Sequence, residues 1–476
     1  MILTLLGGGG FRVPLVHSAL LRDQRPGRVT ELRLFDHDAG RLTVVAKVLE
    51  EQAAQAVEAG VPDAPRVRLF TDLAEALPGT DFIFSAIRVG GMVGRAADER
   101  IALEHGVIGQ ETVGAGGISY ALRTIPVVVD IARAVRKYAP EAWFINFTNP
   151  AGVITEVLNS LLGGRVVGIC DSPAGLARRA LWAAGFPGLD VYGAGVGIDY
   201  IGLNHLGWLR GLTVDGADVL PELLADADAV ESFEEGRLFG APWIQALGAV
   251  PNEYLHYYYF RRENLLAEQE AAASRGSYLA RQQAAFYAAG TAEGEPAESA
   301  LQLWERCRMD REQTYMAENR EAAGTFERDA ADLQGGGYEG VALAIMRALG
   351  GSGSGGTAGA VGTEDTADAE EARLILNMPN AGTLPGLDAD AVIEAPCLVG
   401  RAGVRLLPAD PLPGYAAGLV TTVKAVERAT IEAALGGSRN AAYRALALHP
   451  LVDSVRVAHA LLDGYMENFK ELAYLR

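Results

Sequence analysis

Cys170 and His205 supply a thiolate and an imidazole, both competent ligands for a divalent transition metal. Cys170 ends a run of strand character and precedes Asp171-Ser172-Pro173; His205 lies in Gly202-Leu203-Asn204-His205-Leu206-Gly207-Trp208. Ligands of a parallel sheet gather at the carboxyl ends of its strands, which is where Cys170 falls. The two residues lie 35 apart, a spacing that fixes no geometry. A buried structural cysteine and a hydrogen-bonded core histidine fit the same spacing. Tyr254 sits in Pro251-Asn252-Glu253-Tyr254-Leu255-His256-Tyr257-Tyr258-Tyr259. A phenol becomes a useful base only where a metal or another cation lowers its pKa, and a run of aromatics is more often core packing. Arg88 and Arg95 bracket Gly90-Gly91, where guanidinium forks can hold an anion or simply meet solvent.

A second kind of chemistry is written at the start of the chain. The apolar run Ile2–Leu6 is followed at once by Gly7-Gly8-Gly9-Gly10, and a helix can begin near Val13. A glycine-rich turn between strand and helix lets backbone N–H groups approach a pyrophosphate, with the helix N-terminus adding partial positive charge. Asp36 ends the second strand; its carboxylate can accept both ribose hydroxyls and would repel a 2′-phosphate, which favours NAD over NADP. Gly7, Gly8, Gly9, Gly10, Phe11, Arg12 and Asp36 form the expected cofactor-binding set. The fingerprint departs from the usual one, with Arg12 where the last glycine stands.

These residues need a scaffold, and the first 170 positions provide one by pattern. Ile2–Leu6, Leu32–Phe35, Arg68–Phe70, Phe82–Ala86, Trp143–Phe147 and Val166–Ile169 read as buried strands. The segments between them, such as Arg41–Glu58 and Tyr120–Tyr138, read as helices. Alternation of this kind predicts an α/β fold, a Rossmann-type doubly wound parallel sheet. From about 190 onward the pattern becomes a mixed α+β, helix-rich one. Helical stretches are expected over Glu263–Ala289, Ala297–Ala323 and Pro413–Leu475, with short strands at Arg373–Met378 and Ala391–Val399. The division expected is 1–190 for the nucleotide domain and 191–476 for a substrate, metal and oligomerisation domain. Gly350–Thr366 is loop by composition.

Bulk properties narrow the partners. The 476 residues exceed one ordinary core. A formal net charge of -19 disfavours nucleic acid and anionic membrane surfaces as partners, because their phosphates would be repelled. Three scattered cysteines build no disulfide framework and suit a reducing compartment. With no signal-peptide pattern and no membrane-length apolar run, a cytoplasmic location is expected.

Taken together, the motifs resemble the NAD- and metal-dependent glycosidases of glycoside hydrolase family 4, and within it the 6-phospho-glucosidases, most closely those of β type. The resemblance spans nearly the whole chain. It runs through the Gly7–Gly10 loop, Arg88–Arg95, Ile108–Gly117, Asn146-Phe147-Thr148-Asn149-Pro150-Ala151-Gly152, Cys170–Pro173, Gly202–Trp208, Tyr254–Tyr259 and Leu376-Asn377-Met378-Pro379-Asn380. It implies that Cys170 and His205 hold a divalent metal, usually Mn²⁺. It implies Tyr254 as catalytic base, Asp171 as acid and Glu111 as the group tuning the tyrosine. Arg95, Asn149 and Arg275 match substrate-binding positions. The implied route differs from that of two-carboxylate glycosidases. The sugar is oxidised at C3, Tyr254 removes the acidified C2 proton, the aglycone leaves C1 by elimination, water adds, and the hydride returns. The resemblance also implies a phosphorylated sugar as substrate and a homodimer or homotetramer. Asp171 after the cysteine is an α-type feature, whereas Leu206 in Asn204–Trp208 and the Tyr254 segment look β-type. Two other classes use the same nucleotide motif: a 2-hydroxy-acid dehydrogenase, which would accumulate NADH, and a non-catalytic NAD-binding regulator, which would turn nothing over.

Overall fold

The computed structural model describes residues 1–291, 298–324, 327–328, 337–350 and 371–476. The Gly350–Thr366 loop expectation falls, beyond Gly350 itself, outside the described residues.

The strands are β1 (Ile2–Leu6), β2 (Glu31–Phe35), β3 (Arg66–Phe70), β4 (Phe82–Ser85), β5 (Trp143–Asn146), β6 (Val166–Gly168), β7 (Val196–Leu203), β8 (Leu206–Val214), β9 (Ala217–Asp218), β10 (Val250–Pro251), β11 (Ala372–Pro379), β12 (Val392–Gly400) and β13 (Gly403–Leu406). The first six lie parallel in the order β3-β2-β1-β4-β5-β6, the strand order of a doubly wound dinucleotide fold. Near-continuous apolar runs such as ILTLL in β1 and FIFS in β4 suit a sheet covered on both faces.

The sheet does not stop at β6. Asn377 of β11 pairs antiparallel with Gly168, β11 pairs with β12 from Ala372↔Val399 to Pro379↔Val392, and Glu394 of β12 pairs with Gly202 of β7. The hairpin β7–β8 continues the sheet, with β10 at its edge. This hairpin was not foreseen from the pattern.

One face packs Leu3, Leu34, Phe84 and Ile145 against helix Val13–Arg22 and helix Tyr338–Gly350. The other packs Leu6, Ile83 and Phe144 against helix Gly114–Tyr138 and against Val426, Ala433, Leu461 and Tyr465 of helices Gly414–Gly436 and Val455–Asn468. The stretch expected as one helix over Glu263–Ala289 is two, Arg261–Glu270 and Arg275–Thr291. The break brings Arg275 to a helix start. Ala297–Ala323 likewise divides into Ala300–Gln313 and Ala317–Ala322. Among the described residues no helix is long and apolar enough to cross a membrane.

Candidate active site

The carboxyl ends of the parallel strands open into a cavity of about 1220 Å³. Gly7, Gly10, Phe11, Arg12 and Asp36 line it, and so do Arg95, Glu111, Asn149, Cys170, Asp171, His205, Tyr254 and Arg275. Gly8 and Gly9 are the only residues of the expected set that are not in its wall. They belong to the turn behind it.

That turn is tight. Gly7 has φ +86°, and the Gly7 and Gly8 N–H groups both donate to Phe35 O, at 3.0 and 2.8 Å. A Cβ on Gly8 would lie 2.6 Å from Leu34 Cβ; one on Gly9, 2.7 Å from Arg41 Cβ. Only glycine lets the loop sit this close to β2 and to helix Ala39–Glu58. Among the described residues no side chain caps helix Val13–Arg22, which follows directly, so its N-terminus keeps donors for an anion. Asp36 accepts from Gly9 N at 3.0 Å and from Asp38 N at 3.1 Å. Trp304 fixes the outer side of the loop, its Nε1 donating to Phe11 O at 2.8 Å, and Tyr287 OH donates to Gly9 O at 2.6 Å.

The candidate reactive groups Cys170, His205 and Tyr254 come from three separate segments. Cys170 is buried just past the end of β6. His205 lies in the two-residue turn between β7 and β8 at φ +62°. Its Nδ1 is 3.1 Å from Thr112 Oγ1, a contact that orients the ring and leaves Nε2 as the remaining donor atom. Burial lowers the imidazole to about 3, so it stays neutral, the ligating form. Burial and the charges of Glu394 and Asp171 push the Cys170 thiol well up. Tyr254 stacks on His205, and its hydroxyl is 3.2 Å from that of Tyr315. Burial and Glu253 push its phenol upward too.

Glu111 is forked between two guanidinium groups, Arg88 Nη2 at 2.5 Å and Arg95 Nη1 at 2.6 Å. Burial alone would raise its carboxyl, but Arg88 and Arg95 outweigh that and hold it at about 2. Arg95 also binds Glu99 at 2.8 Å. Arg275 donates to Thr314 Oγ1 at 2.6 Å and to Arg311 O at 3.0 Å. Asp171 lies 3.7 Å from Arg12 Nη1. Among the described residues the buried Asn149 Oδ1 has no hydrogen-bond partner, a poor state for a polar atom unless a ligand meets it. Sequence reasoning missed Thr112, Glu253, Tyr315 and Arg311. Only Glu253, next to Tyr254, and Thr112, next to Glu111, carried a local signal.

The residues fit both groups expected here. The glycine cradle and uncapped helix suit a pyrophosphate, with Asp36 at the ribose position. A thiol and a neutral imidazole suit a borderline metal. Among the described residues no cluster of three or more His, Cys, Asp and Glu forms a metal cage.

Two family models cover the chain: Family 4 glycosyl hydrolase over residues 2–183 and the Family 4 glycosyl hydrolase C-terminal domain over residues 200–452. The chain belongs to glycoside hydrolase family 4. Family 4 relatives include the probable 6-phospho-beta-glucosidase of Bacillus subtilis (strain 168), 31% identical, covering 100% of this chain and 97% of that one. The 6-phospho-alpha-glucosidase of Leptotrichia buccalis is 27% identical, over 98% of each chain. The 6-phospho-beta glucosidase of Thermotoga maritima, solved with manganese, NAD+ and glucose-6-phosphate, superposes with TM-score 0.77 at 26% identity, covering 100% of both chains. This family 4 chain is therefore a glycoside hydrolase with the fold expected from its sequence.

Proposed function

We propose that this chain is a 6-phospho-glucosidase using NAD and Mn²⁺, with β-glucosides preferred over α. One observation carries the reading: the glycine-rich nucleotide loop shares a single cavity with Cys170, His205 and Tyr254. A plain hydrolase has no use for the first, and a plain dehydrogenase no use for a metal-ligand pair beside a second base. Relatives named for both anomers match at similar identity. The β preference therefore rests on the Leu206 and Tyr254 segments, while Asp171 favours the α reading.

When bound, NAD supplies a reversible hydride acceptor and Mn²⁺ a Lewis acid that acidifies the C2 proton of the oxidised sugar. The chain's own residues do the rest. Tyr254 takes the C2 proton, held in place by its stack on His205 and the Tyr315 hydroxyl. Cys170 and His205 hold the metal, and Asp171 stands as proton donor to the leaving oxygen. Glu111, kept ionised by Arg88 and Arg95, fixes Arg95 for the substrate with Asn149 and Arg275. The 1–190 and 191–476 division, a cytoplasmic location and a homodimer or homotetramer complete the proposal.

Aryl 6-phospho-α- and β-glucosides, assayed with NAD and Mn²⁺ omitted in turn, test it. Aglycone release that needs both, with no net NADH, is expected. Release surviving removal of both refutes the mechanism; steady NADH accumulation points instead to a dehydrogenase.

A further inference from the structure

The motif Leu376-Asn377-Met378-Pro379-Asn380 has no part in the chemistry above. Its Asn377 lies on β11, directly opposite Glu394 of β12. The same row continues on both sides of that hairpin: Asn377 pairs with Gly168 of β6, and Glu394 with Gly202 of β7. Among the described residues each of these two joins is a single pair wide. Gly168 stands two residues before Cys170, and Gly202 three before His205. The strands that lead to the two metal ligands are therefore not neighbours. Within the sheet their relative placement passes through Asn377 and Glu394, across three strand spacings, about 14 Å.

Side chains reinforce this row. Asn377 Nδ2 donates to Glu394 Oε1 at 2.9 Å. Asn204 Nδ2, from the residue before His205, donates to the same oxygen at 3.2 Å. Tyr200 OH donates to Glu394 Oε2 at 3.2 Å. Asn377 and Glu394 are both 0% exposed, and their chain neighbours Leu376, Ile393 and Ala395 belong to the apolar core. A carboxyl buried in a strand interior is costly unless its oxygens are met, and here donors arrive from β11, from β7 and from the turn that carries His205. An apolar pair would fill the same space, but apolar contact is non-directional and would not hold Asn204. The approach of β11 to β6 is also close: a Cβ on Gly168 would lie 2.7 Å from Asn377 Cβ, so glycine lets the two strands seat directly.

We propose that Asn377 and Glu394 are positioning residues: their hydrogen-bonded rung sets the separation of Cys170 and His205, and aims His205 through Asn204, so that a divalent metal meets both ligands at once. The proposal rests on the reading of Cys170 and His205 as the metal ligands.

Mn²⁺ affinity of the NAD-loaded enzyme is read from the free-ion signal in electron paramagnetic resonance. The sulfur ligand is read from the thiolate-to-cobalt charge-transfer band when Co²⁺ is added instead. Glu394→Gln keeps the length of the rung and loses the charge; Glu394→Asp keeps the charge and shortens the rung. Glu394→Asp is expected to bind Mn²⁺ at least tenfold more weakly with a diminished cobalt band, Glu394→Gln to stay within threefold of wild type, and both to bind NAD unchanged. Asn377→Leu, which keeps the volume without the bond, should match Glu394→Asp; where it does not fold, the two Glu394 variants carry the test. The reverse order, with the glutamine variant weak and the aspartate variant intact, assigns Glu394 a charge role and overturns the rung. Unchanged Mn²⁺ constants and cobalt bands in folded variants also overturn it, as does NAD binding that falls in step with Mn²⁺. A wild type that binds no Mn²⁺, or a Cys170→Ser variant that binds it as tightly, refutes the metal reading itself, and is told apart because the rung is intact in both.

Discussion

The ring of Tyr254 lies flat against the imidazole of His205, centroids 3.7 Å apart and planes 7° from parallel. A metal held at His205 Nε2 would therefore sit beside the phenol. Cationic charge there lowers a phenol pKa, opposing the burial that raises it. The proposed base and the proposed metal ligand thus pack as one unit.

Tyr254→Phe removes the hydroxyl but keeps the stack. Exchange of the C2 proton of a 6-phospho-glucoside in D₂O, followed by NMR, should fall to background, while the NAD dissociation constant stays within twofold. Exchange persisting at wild-type rate would assign the base elsewhere.

Cys170→Ser replaces a soft donor with a weak hydroxyl. The Mn²⁺ concentration needed for half-maximal activity should rise by at least an order of magnitude, about 1.4 kcal/mol in metal binding. NAD binding should be unaffected, because the nucleotide loop contacts neither ligand. An unchanged Mn²⁺ requirement would remove Cys170 from the metal site.

Asp36 accepts the Gly9 N–H at 3.0 Å and so places a carboxylate at the loop that would receive the adenosine ribose. NAD should raise the melting temperature more than NADP at equal concentration. Asp36→Ala should shrink that difference, mainly by losing NAD affinity. Equal shifts in the wild type would contradict this role.

Glu268 accepts the Gly109 N–H at 2.8 Å, and burial lifts its carboxyl from 4.5 to about 8. Between those pH values the folded chain holds a proton that the unfolded chain has released. Stability contributed by this group is therefore present at low pH and falls as pH rises towards 8, at most about 1.4 kcal/mol per pH unit. Urea midpoints measured from pH 5 to 8 should decline less steeply in Glu268→Gln. Parallel curves for the two proteins would show that Glu268 is not the cause.

Much of this site was legible because strand and loop chemistry is local. Apolar runs located β1 to β6, though β3, expected to be buried, is a largely exposed edge strand, and glycines between β1 and the first helix announced the nucleotide turn. The residues implied by family likeness proved to share one cavity, although nothing in a 35-residue spacing requires Cys170 and His205 to line the same one. Their neighbourhood depends on β11 and β12 inserting between β6 and β7 from nearly 200 residues further on, a pairing no local period encodes. The β7–β8 hairpin was missed because its run VGIDYIGLNHLGWLRGLTV mixes glycine with apolar residues and lacks an Asn-Gly or Asp-Gly turn. Arg311 and Tyr315 were missed for a related reason: each lies on a polar helix or turn whose inward face is defined only by the loop it covers.

The burial of the sheet's second face has a consequence for how the chain is made. Leu6, Ile83 and Phe144 from the first third share one apolar cluster with Leu461, Tyr465 and Leu472. During synthesis the nucleotide half emerges first, yet it cannot close its own interior until helices Gly414–Gly436 and Val455–Asn468 have left the ribosome. Contacts spanning more than 400 positions make that closure late and leave oily surface exposed meanwhile. A nascent chain stalled before residue 414 should therefore bind chaperones and resist native assembly, however complete its nucleotide loop already is.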